Sequence, residues 1–224
     1  MIFMANKGSS GHIKRLNAPK YFFIRRKGNK YIIKQNPGRH TLERSVALSL
    51  IVRKLDIAPT RFESDRVIKD GLVSVNGKKI KEPKFPVGLN DAISIGSDNY
   101  IIGIDSKGHI SISASGNAQI FKVVGKYKNK GNSIMLRLHD GRVVAGNLEI
   151  KVDDSVSLSE RKIGKAIKLE SGSKCRVIDG VHVGIEGRIK EINAGSMYRQ
   201  KSVVVEQQNG RAFETLVKNI IVVE

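Results

Sequence analysis

The spacing of apolar positions changes period along this chain. "YFFIRRKGNKYIIK", residues 21–34, sets two apolar-aromatic runs on either side of Gly28-Asn29, which predicts a hairpin. From Thr41 to Leu55 the period lengthens. Leu42, Val46 and Leu50 form one i,i+4 row and Ala47, Ile51 and Leu55 another, so a helix with a broad buried face is predicted, stopped by Pro59. Thr60-Arg61-Phe62-Glu63 reads as a capping box, in which the threonine oxygen accepts from an orphan amide and the glutamate reaches back. The helix it opens ends at Gly71, a residue free to take the left-handed conformation. "LVSVNGKKI" then alternates around Asn76-Gly77, a type I′ hairpin signal, and "DAISI" at 91–95 supplies another strand. Past residue 96 only short alternating runs remain. Turn signals at Lys107-Gly108, Gly125, Asp140-Gly141, Gly172 and Asn209-Gly210 separate them, which predicts small barrels or sandwiches.

Charge narrows the function. The 224 residues carry 40 Lys+Arg against 21 Asp+Glu, a net of +19. Such an excess does nothing for a fold and points to a polyanionic partner, nucleic acid or an anionic membrane. Residues 1–45 hold 11 of the cations against one acid, Glu43, so about half the excess sits in the first fifth of the chain, the profile of a basic arm. Its "KGSSGHIKRLNAPK" stretch is polar and Gly-rich and is expected to lack regular structure until a partner orders it. No apolar run is long enough to span a bilayer, and "MIFMANKGSS" is too short in its apolar part for a signal peptide; Met4 competes with Met1 as the start. A lone cysteine, Cys175, permits no internal disulfide and suits a reducing cytosol.

Catalytic patterns are sparse. His12, His40, His109, His139 and His182 lack zinc-ligand spacing, and Gly184-x-x-Gly187 lacks the Lys-Ser/Thr of a phosphate-binding loop. No cofactor and no small-molecule substrate is expected. Aromatics of the 21–34 stretch (Tyr21, Phe23, Tyr31) could stack on unpaired bases. With no Trp and 5% aromatics, contacts to phosphates and 2′-hydroxyls of double-helical RNA fit better.

The order helix, helix, "IKDGLVSVNGKKI" resembles the RNA-binding module named after bacterial ribosomal protein S-four. Around it, "GHIKRLNAPK" (11–20), "KFPVGLNDAISI" (84–95), "LHDGR" (138–142), "VIDGVHVGIEGRIKEI" (177–192) and "FETLVKNIIVV" (213–223) follow in the order of the S-four-e family of archaeal and eukaryotic small-subunit ribosomal proteins, over nearly the whole chain. Its length looks more archaeal than eukaryotic. Residues 174–192 also resemble a KOW motif. The resemblance implies an α+β, predominantly β fold: a basic N-terminal arm (1–40), an S-four-type helix–hairpin module (41–95), a central β-barrel-like domain (96–170) and a KOW-containing SH3-like barrel (171–224). It implies a structural constituent of the small ribosomal subunit, cytoplasmic in the ribosome, with rRNA and neighbouring ribosomal proteins as partners.

Residues expected at RNA are Lys14, Arg15, Lys20, Arg25, Arg26, Lys27, Arg39 and Arg44 from the arm and its edge, Arg61, Arg66, Lys69, Lys78, Lys79 and Lys81 from the module, and Gly184 and Arg188 from the KOW-like segment. There, glycines would let backbone amides approach a phosphate, or would only ease a barrel corner. Two departures stand out. Gly38-Arg39-His40 replaces the family's Gly-Pro-His, adding a cation, and His182 falls in a loop where the family has asparagine. The competing reading is an RNA-modifying enzyme or ribosome quality-control factor built on the same module. Arg53-Lys54-Leu55-Asp56 is its motivation, because it weakly resembles the Arg-Leu-Asp of pseudouridine synthases.

Overall fold

A computed structural model describes residues 11–114, 119–159 and 162–223; Met1 and Met4 lie outside them. The hairpin expected at 21–34 does not form. Strand β1 (His12–Lys14) pairs instead with β2 (Tyr31–Ile33), Ile13 opposite Ile32. The run before Gly28 turns inward, burying Tyr21 and Phe22 in the main core. Backbone carbonyls left without a ladder take donors from two arginines. Arg15 Nε donates to Asn29 O (2.9 Å) and its Nη1 to Arg25 O (3.0 Å), while the Arg26 guanidinium donates to the carbonyls of Leu16, Ala18 and Pro19. Residues 11–33 are therefore a folded loop, although only six of them are strand.

The helix expected from Thr41 is shorter. Strand β3 (Ser45–Ala47) precedes α1 (Leu48–Lys54). No side chain caps α1; its first amides, Leu48 and Ser49, donate to the carbonyls of Phe85 and Pro83, both at 3.0 Å. The buried Gln35 amide holds the entry by donating to Leu42 O and Ser45 O. Helix α2 (Arg61–Lys69) forms as expected, with the complete Thr60/Glu63 capping box and Gly71 at φ +75°. The two helices meet at small residues, where Ser49 Oγ lies 2.9 Å from Ser64 Oγ and donates to Asp65 (2.8 Å).

The hairpin is β4 (Val73–Val75) and β5 (Lys78–Lys79), joined through Asn76 and Gly77 at positive φ, the type I′ turn. Next come β6 (Pro86–Gly88), paired to β3, then β7 (Ala92–Ile95), β8 (Asp98–Ile104) and β9 (Ile110–Ala114). One antiparallel sheet runs β5-β4-β7-β8-β9 and so continues from the module past residue 95.

Strands β10 (Ile120–Lys128), β11 (Ile134–Leu138), β12 (Val143–Ala145), β13 (Ser155–Ser159) and β14 (Lys162–Ile167) form a second sheet, in the order β12-β11-β10-β13-β14. Gly125, expected at a turn, lies inside β10, where the register against β11 shifts between Val123 and Gly125. A glycine in a strand is as much a bulge signal as a turn signal. The third sheet holds β15 (Lys174–Val177), β16 (Glu186–Asn193), β17 (Ser202–Glu206), β18 (Ala212–Leu216) and β19 (Ile220–Val222), in the order β18-β17-β16-β15-β19. The strand–turn–strand of the KOW-like segment is β15 and β16. Among the described residues no ladder joins the end strands of either sheet, so neither expected barrel is closed.

Each sheet buries its own apolar cluster, but Ile221 of the third, and Ile178 just past β15, belong to the core under the first. The chain packs tightly at these seams. A β-carbon on Gly184 would run into the Asp105 carbonyl, and one on Gly141 would stand 3.2 Å from Arg39 O. Lys122 of the second sheet is buried, with Nζ donating to the Val217 and Ile220 carbonyls and pairing with Asp153 at 3.1 Å.

Candidate nucleic-acid interface

A buried acid ties the arm to the hairpin. Asp91 accepts from Arg39 Nη2 (3.1 Å), Asn76 Nδ2 (2.6 Å) and the Gly88 amide (3.0 Å), and His40 Nε2 lies 2.9 Å away. Burial pushes its carboxyl up, but the His40 contact and the Arg39 charge outweigh burial and hold it below the ordinary carboxylate range. Asn76 completes the lock by accepting from the Ala92 amide (3.1 Å) with its Oδ1. The β4–β5 turn is thus fixed from behind while Lys78 and Lys79 point outward, both exposed. Gly38 and Gly88 are needed for this approach: a β-carbon on Gly38 would stand 2.5 Å from Pro86, and one on Gly88 the same distance from His40.

The arm and the two helices enclose an open cleft of about 570 Å³. Arg15 and Arg25 come from the arm, Arg53 and Lys54 from the last turn of α1, Arg61 from the first turn of α2, and Lys84 from the loop before β6. Asp56 is the acid among them. Arg15 and Arg53 are steadied by neutral carbonyls, Arg53 Nε donating to Pro59 O at 3.3 Å, so their charges are positioned without being cancelled. Between the cations lie Phe23, Ile24 and Tyr31. Such a surface attracts phosphates and offers apolar contact to whatever they carry.

The residues expected at RNA divide into groups. Arg15, Arg25 and Arg61 meet in this cleft. Arg66, Lys69, Lys78, Lys79 and Lys81 are exposed on α2 and the hairpin, and Lys14, Lys20 and Lys27 are exposed on the arm. Arg26 holds the arm loop together. Arg39, the cation that replaces a proline, is committed inward to Asp91 and, at 3.8 Å, to Asp140, while Arg44 pairs with Asp179. Gly184 stands at φ +82°, its amide donating to Val177 O (2.8 Å) and its Cα face against Asp105, so it serves the seam between sheets. Arg188 is exposed on β16, and His182 stacks on Phe213 with ring centroids 4.2 Å apart. Sequence reading missed Lys54 and Lys84 and took Arg53 for part of a catalytic pattern. The basic pair ending α1 was a visible signal; its convergence with an arm some forty residues away was not. Asp56 stands at the helix end with φ +55°, among cations. No cluster of three or more metal-ligating side chains exists among the described residues.

Comparison with known families supplies the class. Residues 48–93 match the S4 domain, 7–43 the RS4NT (NUC023) domain and 97–163 the ribosomal family S4e. The molecule is thus a strongly basic, β-rich protein built around an S4 domain. It is 35% identical to the small ribosomal subunit protein eS4 of Methanocella arvoryzae, covering 95% of this chain and 93% of that one. The eS4 of Methanocaldococcus jannaschii is likewise 35% identical, at 98% and 96% coverage. The crystal structure of 30S ribosomal protein S4e from Thermoplasma acidophilum superposes with a TM-score of 0.67 at 31% identity, covering 80% of this chain and 95% of that one. The chain belongs to the ribosomal protein family S4e. That family is ribosomal and not enzymatic, which removes the modifying-enzyme reading of Arg53–Asp56.

Proposed function

We propose that this protein is a structural constituent of the small ribosomal subunit, in the cytoplasm, that binds and organises rRNA through phosphate contacts, with neighbouring ribosomal proteins as its other partners. Family membership supports the assignment, and the observation that carries the mechanism is the cleft, where six cations from four chain segments face one acid. RNA segments brought side by side repel one another, and cations fixed on a folded surface relieve that repulsion without turnover. The exposed lysines and arginines of α2 and the hairpin extend the same surface. Arg188 adds a contact on the KOW-like strand. A tagged copy followed through sucrose gradients of cell extract should sediment with the small subunit at physiological salt. Arg53→Gln with Arg61→Gln should shift it towards free protein, with little change in melting because Arg61 gives up only an exposed i,i+4 pair with Asp65 (3.7 Å). Absence of the unaltered protein from the small subunit would refute the assignment.

A further inference from the structure

We propose that the cleft between arm and helices takes a single unpaired nucleotide, its base against Tyr31 and its phosphates on the arginines of the walls. The inference rests on the RNA-binding reading and narrows it. Tyr31 sits in the β1–β2 ladder opposite Lys14, yet its side of the strand faces the cleft and it is 47% exposed. Its ring is oriented before any ligand arrives: His12 packs against it edge to face at 4.5 Å, and Lys30 Nζ stands 5.3 Å from its centroid. Half-buried Phe23 and Ile24 continue the apolar floor, while Arg25, Arg53 and Arg61 stand round it.

Phosphates alone would call for cations alone. A half-exposed aromatic ring set among them calls for a flat apolar group attached to a phosphate, which is a nucleobase. Bases in a helix keep their faces in the stack and present only edges and backbone; an unpaired base can be splayed out onto an aromatic side chain. Volume agrees, since about 570 Å³ lies in the range of sites that take one small ligand.

The test uses the full chain and two synthetic RNA duplexes that differ by one nucleotide. One carries a single bulged 2-aminopurine and the other is fully paired. The bulged RNA should bind about tenfold more tightly, the worth of one base–aromatic stack, and its fluorescence should be quenched on binding. Tyr31→Leu should bring the two affinities together and abolish the quench; Tyr31→Phe should keep both the preference and the quench. Equal affinities with unchanged fluorescence would overturn the nucleotide site and leave rRNA binding standing. A preference that survives Tyr31→Leu would also overturn it. Failure to bind either RNA at low salt would remove the RNA-binding reading itself. The quench in the unaltered protein depends on no variant folding.

Discussion

His139 shows how a single buried side chain sets a pH limit. Its Nδ1 accepts from the Lys122 amide (3.1 Å), and burial pulls its pKa down to about 4. Between that value and the ordinary 6.5 the unfolded chain binds a proton that the folded chain refuses, so stability falls as pH drops through this window. The loss should approach ~3 kcal/mol by the lower end. In His139→Asn the amide oxygen can still accept from Lys122. Melting curves at pH 7 and pH 4.5 should differ less for this variant than for the unaltered protein; parallel behaviour would contradict the assignment. Asp91 works in the other range. Because its carboxyl is held low, its contribution to stability is present at neutral pH and is lost only as pH falls through its depressed range. Neither role was legible in sequence. "LHDGR" and "NDAISI" were recognisable as motifs, but nothing in them says that Asp91 would meet Arg39 across fifty residues, or that an arginine standing for proline would be neutralised inside.

Among elements, those specified by local chemistry were legible. The Thr60 box, the Gly71 stop, the Asn76-Gly77 turn and the strand at 92–95 stand where residue spacing puts them, because capping and turn geometry are decided within a few residues. Elements decided by distant partners were not. Ser45–Ala47 has helical spacing yet forms a strand, because residues 86–88 offer a ladder and the carbonyls of Pro83 and Phe85 take the first helical amides. The arm reads as a basic tail and is in part a wall of the core. Phe22→Ala should therefore cost ~3–5 kcal/mol, as for a buried aromatic in any core, and should open residues 21–30 to proteolysis. If melting were unaffected, the arm would not be integral. Lys122 is the counterpart at the C-terminal end: composition counts it with the free cations, but it seats the 217–220 carbonyls. Lys122→Met should leave the Val217 and Ile220 carbonyls without their donor and destabilise by ~1–3 kcal/mol. Hydrogen exchange should accelerate first in β19; uniform change across the sheets would argue against a seating role.

At the scale of the whole molecule, the +19 charge is not spread evenly over function. Some cations are engaged within the fold (Arg26, Arg39, Lys122), Arg44 pairs with Asp179 at the surface, others line the cleft, and others stand on the hairpin. Charge counting pointed to a polyanionic partner and could not separate these groups, since a seated lysine and a wet one are the same letter. Lys78→Glu with Lys79→Glu should lower rRNA affinity and reduce the slope of log affinity against log salt by about 2, one for each lost phosphate contact, with melting unchanged. An unaltered slope would mean that the turn touches no backbone. The glycine seams described above have a consequence for assembly. Because Gly184 leaves no slack between the β15–β16 loop and the Asp105 turn of the first sheet, β16 keeps a set place relative to that sheet, like the fixed jaw of a caliper. In the proposed role, rRNA already folded to match that spacing would engage the module and β16 together, and the protein would gauge the shape of its site as it holds it.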